Sequence, residues 1–505
     1  MVIKMGNYTS MRELIDEICH IYKQRVAFEE LSSSGLMKTY DELLEDVINL
    51  ANIFAYLPFK RIGVVANNSY FWVVTYLGVL YNGGIAIIID RNQEKNAKIR
   101  QIVHSDTELL ITDDLILLDE IRKSKIVKEY IYIENDRKYL YTQIHRLINK
   151  YGKQYRGLMD INEHDICTLM YTSGTTSNPR GVMLTHKNII LDILSQCKAV
   201  KRGKRYLAVL PMSHCYQCFT GILGPLYDGA LIGISMDRGA VFNDIQKFSP
   251  DTLMLVPFLL DKIYKEIQYQ FEKDKRKSNK IDIIRAVLGT KIKYIISGGS
   301  RLDDRYCEFF KEYGISLFNG YGMTECSCLI SVNNETNNRI NSVGKIINSC
   351  IVKIDPLTKE ILVNGDIIMA GYYKDEKATS EVLTNGWLHT GDIGELDDEN
   401  FLYIQGRIKN IIVLSNGYKV NPEEMETDLK RITGIEDLLI SASKQNPCQL
   451  AVEVYLEKEE DNNKKVIEEQ ILLYNRELPF YKKISDIIYR QKPFRRTNTK
   501  KIIRE

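Results

Sequence analysis

The sequence predicts an α/β protein, with a large N-terminal domain of parallel and mixed sheets and a small α+β domain after it. Three observations carry this. The chain has 505 residues, enough for about two to four ordinary domains. Short apolar runs of strand length alternate with longer segments whose apolar residues recur at helical spacing, the pattern of parallel sheets with crossover helices. That pattern changes after Gly391, where 392–407 reads as a β-rich hairpin with its turn at 397–400.

Residues 11–22 read as a helix, 26–30 as a strand, and 39–55 as a second helix. A short apolar strand follows at 61–66. A helix over 67–82 places Phe71, Trp72, Val74, Leu77 and Leu80 on its buried side, and 83–90 is another buried strand. Further strands are expected at 108–112, 127–133, 206–210, 230–234, 252–256 and 293–297. The helix over 258–277 ends in a charged run that reads as a solvated face. The domains are expected to be 1–407 and 408–505, with the boundary in 406–409.

Bulk properties exclude several classes. Hydrophobic residues make up 44% of the chain, so a sizeable core can form. The 68 basic and 66 acidic residues nearly cancel, giving no electrostatic case for nucleic acid or a membrane surface. The first ten residues lack the pattern of a signal peptide, and no apolar run is long enough to span a bilayer. Ten cysteines are too few for a disulfide scaffold of this size. Reduced thiols and a cytoplasmic location are expected.

Three segments carry candidate chemistry. The first, Tyr171-Thr-Ser-Gly-Thr-Thr-Ser-Asn-Pro-Arg-Gly-Val182, follows an apolar strand. Thr172, Ser173, Thr175 and Thr176 surround Gly174, and hydroxyls and backbone N–H groups in such a loop can cradle phosphate oxygens. It lacks the Gly-Lys-Ser/Thr ending of a P-loop. Alone, such a run is more often a plain polar turn. The second is Asn319-Gly-Tyr-Gly-Met-Thr-Glu325. Tyr321 can stack on a purine, Thr324 can reach a phosphate, and Glu325 can hold Mg²⁺; the bland alternative is a Gly-rich hairpin with an exposed Tyr. The third is Gly386-Trp-Leu-His-Thr-Gly-Asp392, followed by Gly406-Arg-Ile-Lys409. Asp392 suits two ribose hydroxyls and Arg407 suits ribose or phosphate oxygens, against a turn Asp and a surface Arg.

Together, in this order and spacing, the segments resemble the adenylate-forming superfamily of acyl-CoA synthetases, peptide-synthetase adenylation domains and luciferases. The resemblance runs from Thr39-Tyr-Asp-Glu-Leu43 to the C-terminus. It implies a large N-terminal domain, a small mobile C-terminal domain and an active site between them. It also implies that Thr172, Ser173, Gly174, Thr175, Thr176 and Arg180 bind ATP phosphates. Gly298, Gly299 and Ser300 would line the adenine and acyl pockets, and Asn319, Gly320, Tyr321 and Gly322 would bind the nucleotide. Thr324 and Glu325 would serve phosphate and Mg²⁺, Asp392 the ribose, and Arg407 the ribose and α-phosphate. Lys409 stands at the family's hinge position. Ser415, Asn416 and Gly417 lie in the loop that would meet the acceptor thiol.

The family's C-terminal catalytic lysine falls in Arg496-Thr-Asn-Thr-Lys-Lys-Ile-Ile-Arg504, where the register of Ile502 and Arg504 selects Lys501. Lys500 replaces the usual glycine. Ser177 stands where glycine is usual, and Arg180 where lysine is usual, which keeps the charge but changes the hydrogen-bond geometry. The resemblance also places His214 near the acyl carboxylate or the thiol tunnel; a core histidine is the alternative. Cys215 and Cys218 form a C-x-x-C, for which packing is favoured over metal or redox work.

The expected activity is ATP- and Mg²⁺-dependent conversion of a carboxylic acid, a medium- or long-chain fatty acid, to acyl-AMP with release of pyrophosphate. Transfer to the thiol of CoA follows. The alternatives are transfer to a carrier-protein phosphopantetheine, or an aryl or small acid as substrate. A non-catalytic nucleotide-binding regulator would be expected to lack Glu325, Asp392 or the terminal lysine, and all three are present.

Overall fold

The computed structural model describes the chain apart from residues 1–7, 32–34, 134–136, 153–154, 172–178, 201–202, 238, 275–278, 300–301, 436, 457–460, 497–501 and 505. It divides into two compact units. One comprises Met1–Ile351 and Val363–Leu388, the other Val352–Leu362 and His389–Glu505. The hairpin of Trp387–Leu396 and Leu402–Arg407 thus lies mostly in the second unit. The cause is local. Asn421, the N-cap of helix Pro422–Thr433, donates its amide to the Gln405 carbonyl and ties the hairpin to that helix.

Among the described residues, the first unit contains two large sheets. The nine-stranded sheet has a parallel centre in the order Ser316–Tyr321, Tyr294–Ser297, Thr252–Leu255, Arg205–Ala208, Leu231–Ile234 and Val26–Glu30. Its antiparallel edges are Met37–Thr39 on one side and Ser331–Val332 with Lys345–Ile346 on the other. The seven-stranded sheet places Ile166–Tyr171, Ile85–Ile88, Arg61–Val65, Leu109–Thr112 and Glu129–Tyr132 in parallel. Gly181–Thr185 returns antiparallel against Ile166–Tyr171. The central strands, such as Thr252–Leu255 and Leu109–Thr112, are buried throughout because both faces are covered.

The helices follow local chemistry. Thr39 and Glu42 form a reciprocal capping box that starts helix Tyr40–Tyr56. Ser69 caps Tyr70–Asn82, so that helix begins three residues later than its apolar pattern predicts. It is buried all round, with Phe71 only half-buried, because it is enclosed within the fold rather than laid on its surface. The turn predicted at 397–400 forms, and Asp397 Oδ1 accepts from the backbone N–H groups of Glu399 and Phe401, both at 2.9 Å.

The second unit has its own core. Strands Leu438–Ala442, Leu450–Tyr455 and Ile484–Arg490 form a three-stranded sheet, and Leu429, Met425, Ile440, Val452 and Ile471 fill the space beside it. Among the described residues, no helix is long and apolar enough to cross a membrane.

One buried histidine fixes the N-terminal helix. His186 opens helix His186–Ala199, is 1% exposed, and its Nδ1 accepts the Met11 backbone N–H at 3.2 Å. Burial lowers its pKa from 6.5 to about 4, and a helix N-terminus disfavours an imidazolium. The unfolded chain therefore binds the extra proton first, and stability falls as pH drops from 6.5 toward about 4. The expected loss is about 2 kcal/mol between roughly pH 7 and pH 5. Urea denaturation at the two pH values should show it. His186→Gln, which keeps an acceptor and cannot titrate, should lose clearly less; an equal loss would place the acid sensitivity elsewhere.

Candidate active site

Parallel pairing assembles the first half of the site. Strand Tyr294–Ser297 lies between Thr252–Leu255 and Ser316–Tyr321, with Ser297 opposite both Leu255 and Asn319. Gly298 and Gly299 therefore emerge beside Gly320, at the carboxyl ends of the strands, where open α/β sheets bind ligands. A Cβ on Gly298 would meet the Tyr216 ring at 3.4 Å and the Gly320 carbonyl at 3.7 Å, and Gly299 has φ +83°. Tyr216, which none of the three motif segments contains, covers this point and donates its hydroxyl to the Ile296 carbonyl at 2.8 Å. Ser300 lies outside the described residues.

The Asn319–Glu325 segment then turns sharply. A Cβ on Gly322 would lie 1.6 Å from the Cys328 carbonyl oxygen, so only glycine fits. Ser327 and Cys328 adopt positive φ, 58° and 142°. The turn is held by Ser327 Oγ donating to the Ile367 carbonyl at 2.8 Å and by buried Asp192 accepting the Leu329 N–H at 3.0 Å. Thr324 and Glu325 open a short 3₁₀ turn. Tyr321 is half-buried, and its carbonyl accepts from Ile330 N–H at 2.9 Å.

Glu325 is 8% exposed, and its Oε1 accepts the Tyr372 hydroxyl at 2.8 Å. Burial and the Glu325 charge push the Tyr372 hydroxyl far above its ordinary value, so it stays protonated and donates. The Arg180 guanidinium lies 5.5 Å from the centre of the Tyr372 ring. Tyr372 thus joins two residues that lie far apart in sequence. No motif marks it; the only signal is a Tyr-Tyr pair after Gly371.

Two buried oxygens on the paired strand ends, Ser297 Oγ and Asn319 Oδ1, have no hydrogen-bond partner among the described residues. Such groups are uncommon in folded proteins and suit a polar ligand. The donor set also suits Mg²⁺, which commonly takes one or two protein carboxylates and completes its shell with phosphate and water. Glu325 supplies one carboxylate.

Thr172, Ser173, Gly174, Thr175 and Thr176 lie outside the described residues. Tyr171, just before them, is anchored by donating to the Gln101 carbonyl at 3.1 Å and by the His104 ring at 2.9 Å. His214 sits on a turn closed by its N–H donating to the Pro211 carbonyl at 3.1 Å. The C-x-x-C does not act as a unit. Cys218 is 1% exposed in the core, whereas Cys215 Sγ lies 3.5 Å from Thr324 Oγ1. Hydrogen bonds from Cys328 and Thr324 hold the Cys215 thiol below its usual range, while Cys328 is pushed up.

In the second unit, Asp392 and Arg407 face each other across the hairpin, and Arg407 Nε pairs with Asp392 Oδ1 at 3.0 Å. The two residues expected to hold ribose and phosphate are thus each other's partners. Asp392 is buried and Arg407 is exposed. Lys409 is exposed in the short turn Ile408–Asn410. Ser415, Asn416 and Gly417 are exposed in a tight turn, with Gly417 at φ +85° and its N–H donating to the Leu414 carbonyl at 2.8 Å. Lys500 and Lys501 lie outside the described residues. On either side of them in the sequence, Arg504 pairs with Glu426 at 2.6 Å, and Arg496 pairs with Asp437.

The sequence profile of the AMP-binding enzyme family matches residues 15–373, and that of the AMP-binding enzyme C-terminal domain matches residues 409–505. A long-chain-fatty-acid–CoA ligase of Mus musculus is 29% identical over 439 residues, 74% of this chain and 65% of its own length. The match thus spans slightly less than two-thirds of that relative. A chloroplastic long-chain-fatty-acid–[acyl-carrier-protein] ligase of Arabidopsis thaliana is 25% identical over 83% of this chain and 72% of its own. The crystal structure of an anthranilate CoA ligase in complex with anthranoyl-AMP has a TM-score of 0.82 at 17% identity, covering 99% of this chain and 96% of that one. At that identity the likeness is one of fold. With the family profile matching well over half of its length, the chain belongs to the AMP-binding enzyme family.

Proposed function

We propose that the protein joins a carboxylic acid, a medium- or long-chain fatty acid, to AMP from ATP with release of pyrophosphate, and then transfers the acyl group to the thiol of CoA. The observation that carries this reading is the single cluster at the strand ends of the first unit. It combines Gly298 and Gly299, the buried oxygens of Ser297 and Asn319, Tyr321, Thr324 and the Tyr372-braced Glu325.

A carboxylate attacking the α-phosphorus of ATP brings two anions together, and that repulsion is the main barrier. In this reading the purine lies against Tyr321 beside Gly299 and Gly320, with the Tyr216 ring over Gly298. Ser297 and Asn319 offer acceptors to its amino group. The 172–176 hydroxyls and backbone, with Thr324, hold phosphate oxygens, and Ser300 lines the adenine and acyl pockets with the two glycines before it. Arg180 adds positive charge beside Tyr372. Glu325 holds Mg²⁺, which would neutralise phosphate charge. Asp392 takes the ribose hydroxyls and Arg407 the ribose and α-phosphate, exchanging part of their mutual ion pair for the ligand. Lys501 places a cation on the developing charge. The second half-reaction needs another geometry. Rotation about Lys409 withdraws Lys501 and brings Ser415, Asn416 and Gly417 to the thiol arm.

The similarity to an acyl-carrier-protein ligase supports a second acceptor, since a carrier protein presents the same pantetheine thiol. Pyrophosphate exchange over a panel of acids, followed by transfer to CoA or to a carrier protein, decides between them. Exchange is expected with acids of medium or long chain, and thioester is expected with CoA. Exchange with none of the acids would overturn the reading.

Two variants probe the assigned roles. Lys501→Ala should lower pyrophosphate exchange by at least about 100-fold while sparing thioester formation from synthetic acyl-AMP. Lys500→Ala should change exchange less than about threefold. The reverse outcome would move the catalytic role to Lys500.

Tyr372→Phe removes one hydrogen bond to a carboxylate. It should raise the Mg²⁺ concentration for half-maximal exchange by about 3- to 10-fold. Titrations of Mg²⁺ at saturating ATP measure this, and an unchanged midpoint would remove Glu325 from the metal assignment.

A further inference from the structure

We propose that Asp90, which the motifs do not include, is a positioning residue that acts through His214. The proposal rests on the reading of His214 as a residue of the reaction. Asp90 lies just past strand Ile85–Ile88. That strand runs parallel to Ile166–Tyr171 with Ile88 opposite Met170, so Asp90 leaves the sheet at the same end as Tyr171, the residue before the hydroxyl-rich segment. His214 arrives from the other sheet, on the connection after strand Arg205–Ala208.

The carboxyl group is 4% exposed and oriented on both sides. Its Oδ1 accepts the Asn92 backbone N–H at 2.9 Å and the Asn92 side-chain amide at 3.1 Å. Its Oδ2 lies 3.8 Å from His214 Nε2. The neighbouring cations Arg91 and Lys98 are engaged with Asp113 and Asp114. At 3.8 Å the contact is one of charge rather than a hydrogen bond. A carboxylate there favours the tautomer with its proton on Nε2, leaving the lone pair on Nδ1 at the other edge of the ring.

The histidine turn is fixed from the same sheet. Asn68, just past strand Arg61–Val65, donates to the Leu210 carbonyl at 2.8 Å and accepts the Met212 N–H at 2.9 Å. Gln217 accepts the Leu210 N–H at 3.1 Å. Two neighbouring strands thus supply a clamp for the backbone of the turn and a charge for its ring. A side chain 28% exposed, on a turn held this firmly and facing a buried carboxylate, is arranged as an oriented imidazole.

A double-mutant cycle separates positioning from folding. Asp90→Asn keeps an acceptor for Asn92 but removes the charge. In the parent it should lower one half-reaction, exchange or transfer from synthetic acyl-AMP, by about 10- to 100-fold in kcat. In a His214→Asn background the same change should cost less than about twofold in that half-reaction, because the group it acts through is gone. The melting temperature of each variant is measured alongside; Asp90→Ser serves if Asp90→Asn folds poorly. Additive losses in an active parent, or a fully active His214→Asn enzyme, would overturn the proposal alone. A parent with neither half-reaction would remove the adenylation reading, and this proposal with it.

Discussion

In-register parallel pairing at the centre of the nine-stranded sheet is the constraint on which the first unit's site depends. Ser297 opposite Leu255 on one side and Asn319 on the other decides that Gly298 emerges beside Gly320. A slip of one residue would turn every side chain of the strand to the other face. Ile295 and Leu317, buried in the same hydrophobic cluster, make such a slip costly. The glycines are therefore delivered to the strand ends by the apolar residues before them.

Beyond the strands, backbone strain is used and compensated locally. The segment after Glu325 turns so tightly that Gly322 touches the Cys328 carbonyl and two non-glycine residues take positive φ. Each such conformation costs on the order of 1–3 kcal/mol and persists only where the surroundings over-determine it. Ser327 bonding to Ile367, Leu329 bonding to Asp192 and Met369 bonding to the Glu325 carbonyl supply that constraint. Glu325 is held at both its backbone and its carboxylate by residues more than forty positions downstream. In the second unit, the Asp392–Arg407 pair is set by the hairpin register in the same way, two charges made neighbours by strand pairing.

The sequence by itself determined the fold class, most strands of both large sheets, the helix start at Thr39 and the turn at 397–400, but not the helix start at Ser69. These rest on local chemistry: apolar periodicity, Thr39 with Glu42, and Asp397 in its turn. It also marked Gly322, Thr324, Glu325, Asp392 and Arg407 as candidates, because their residue types are unusual in that order, while Gly298 was marked by the family resemblance alone. Only the tertiary structure decided what these residues meet. The Tyr372 brace on Glu325, the Tyr216 ring over Gly298, the parting of Cys215 from Cys218, and Asp90 facing His214 all join segments distant in the chain. The bond from Asn421 to Gln405 likewise joins the hairpin to the helix Pro422–Thr433. Composition and spacing report what a residue does to its own neighbourhood. Which distant group arrives beside it is set by sheet order and the packing of buried side chains, and neither is written in any single segment.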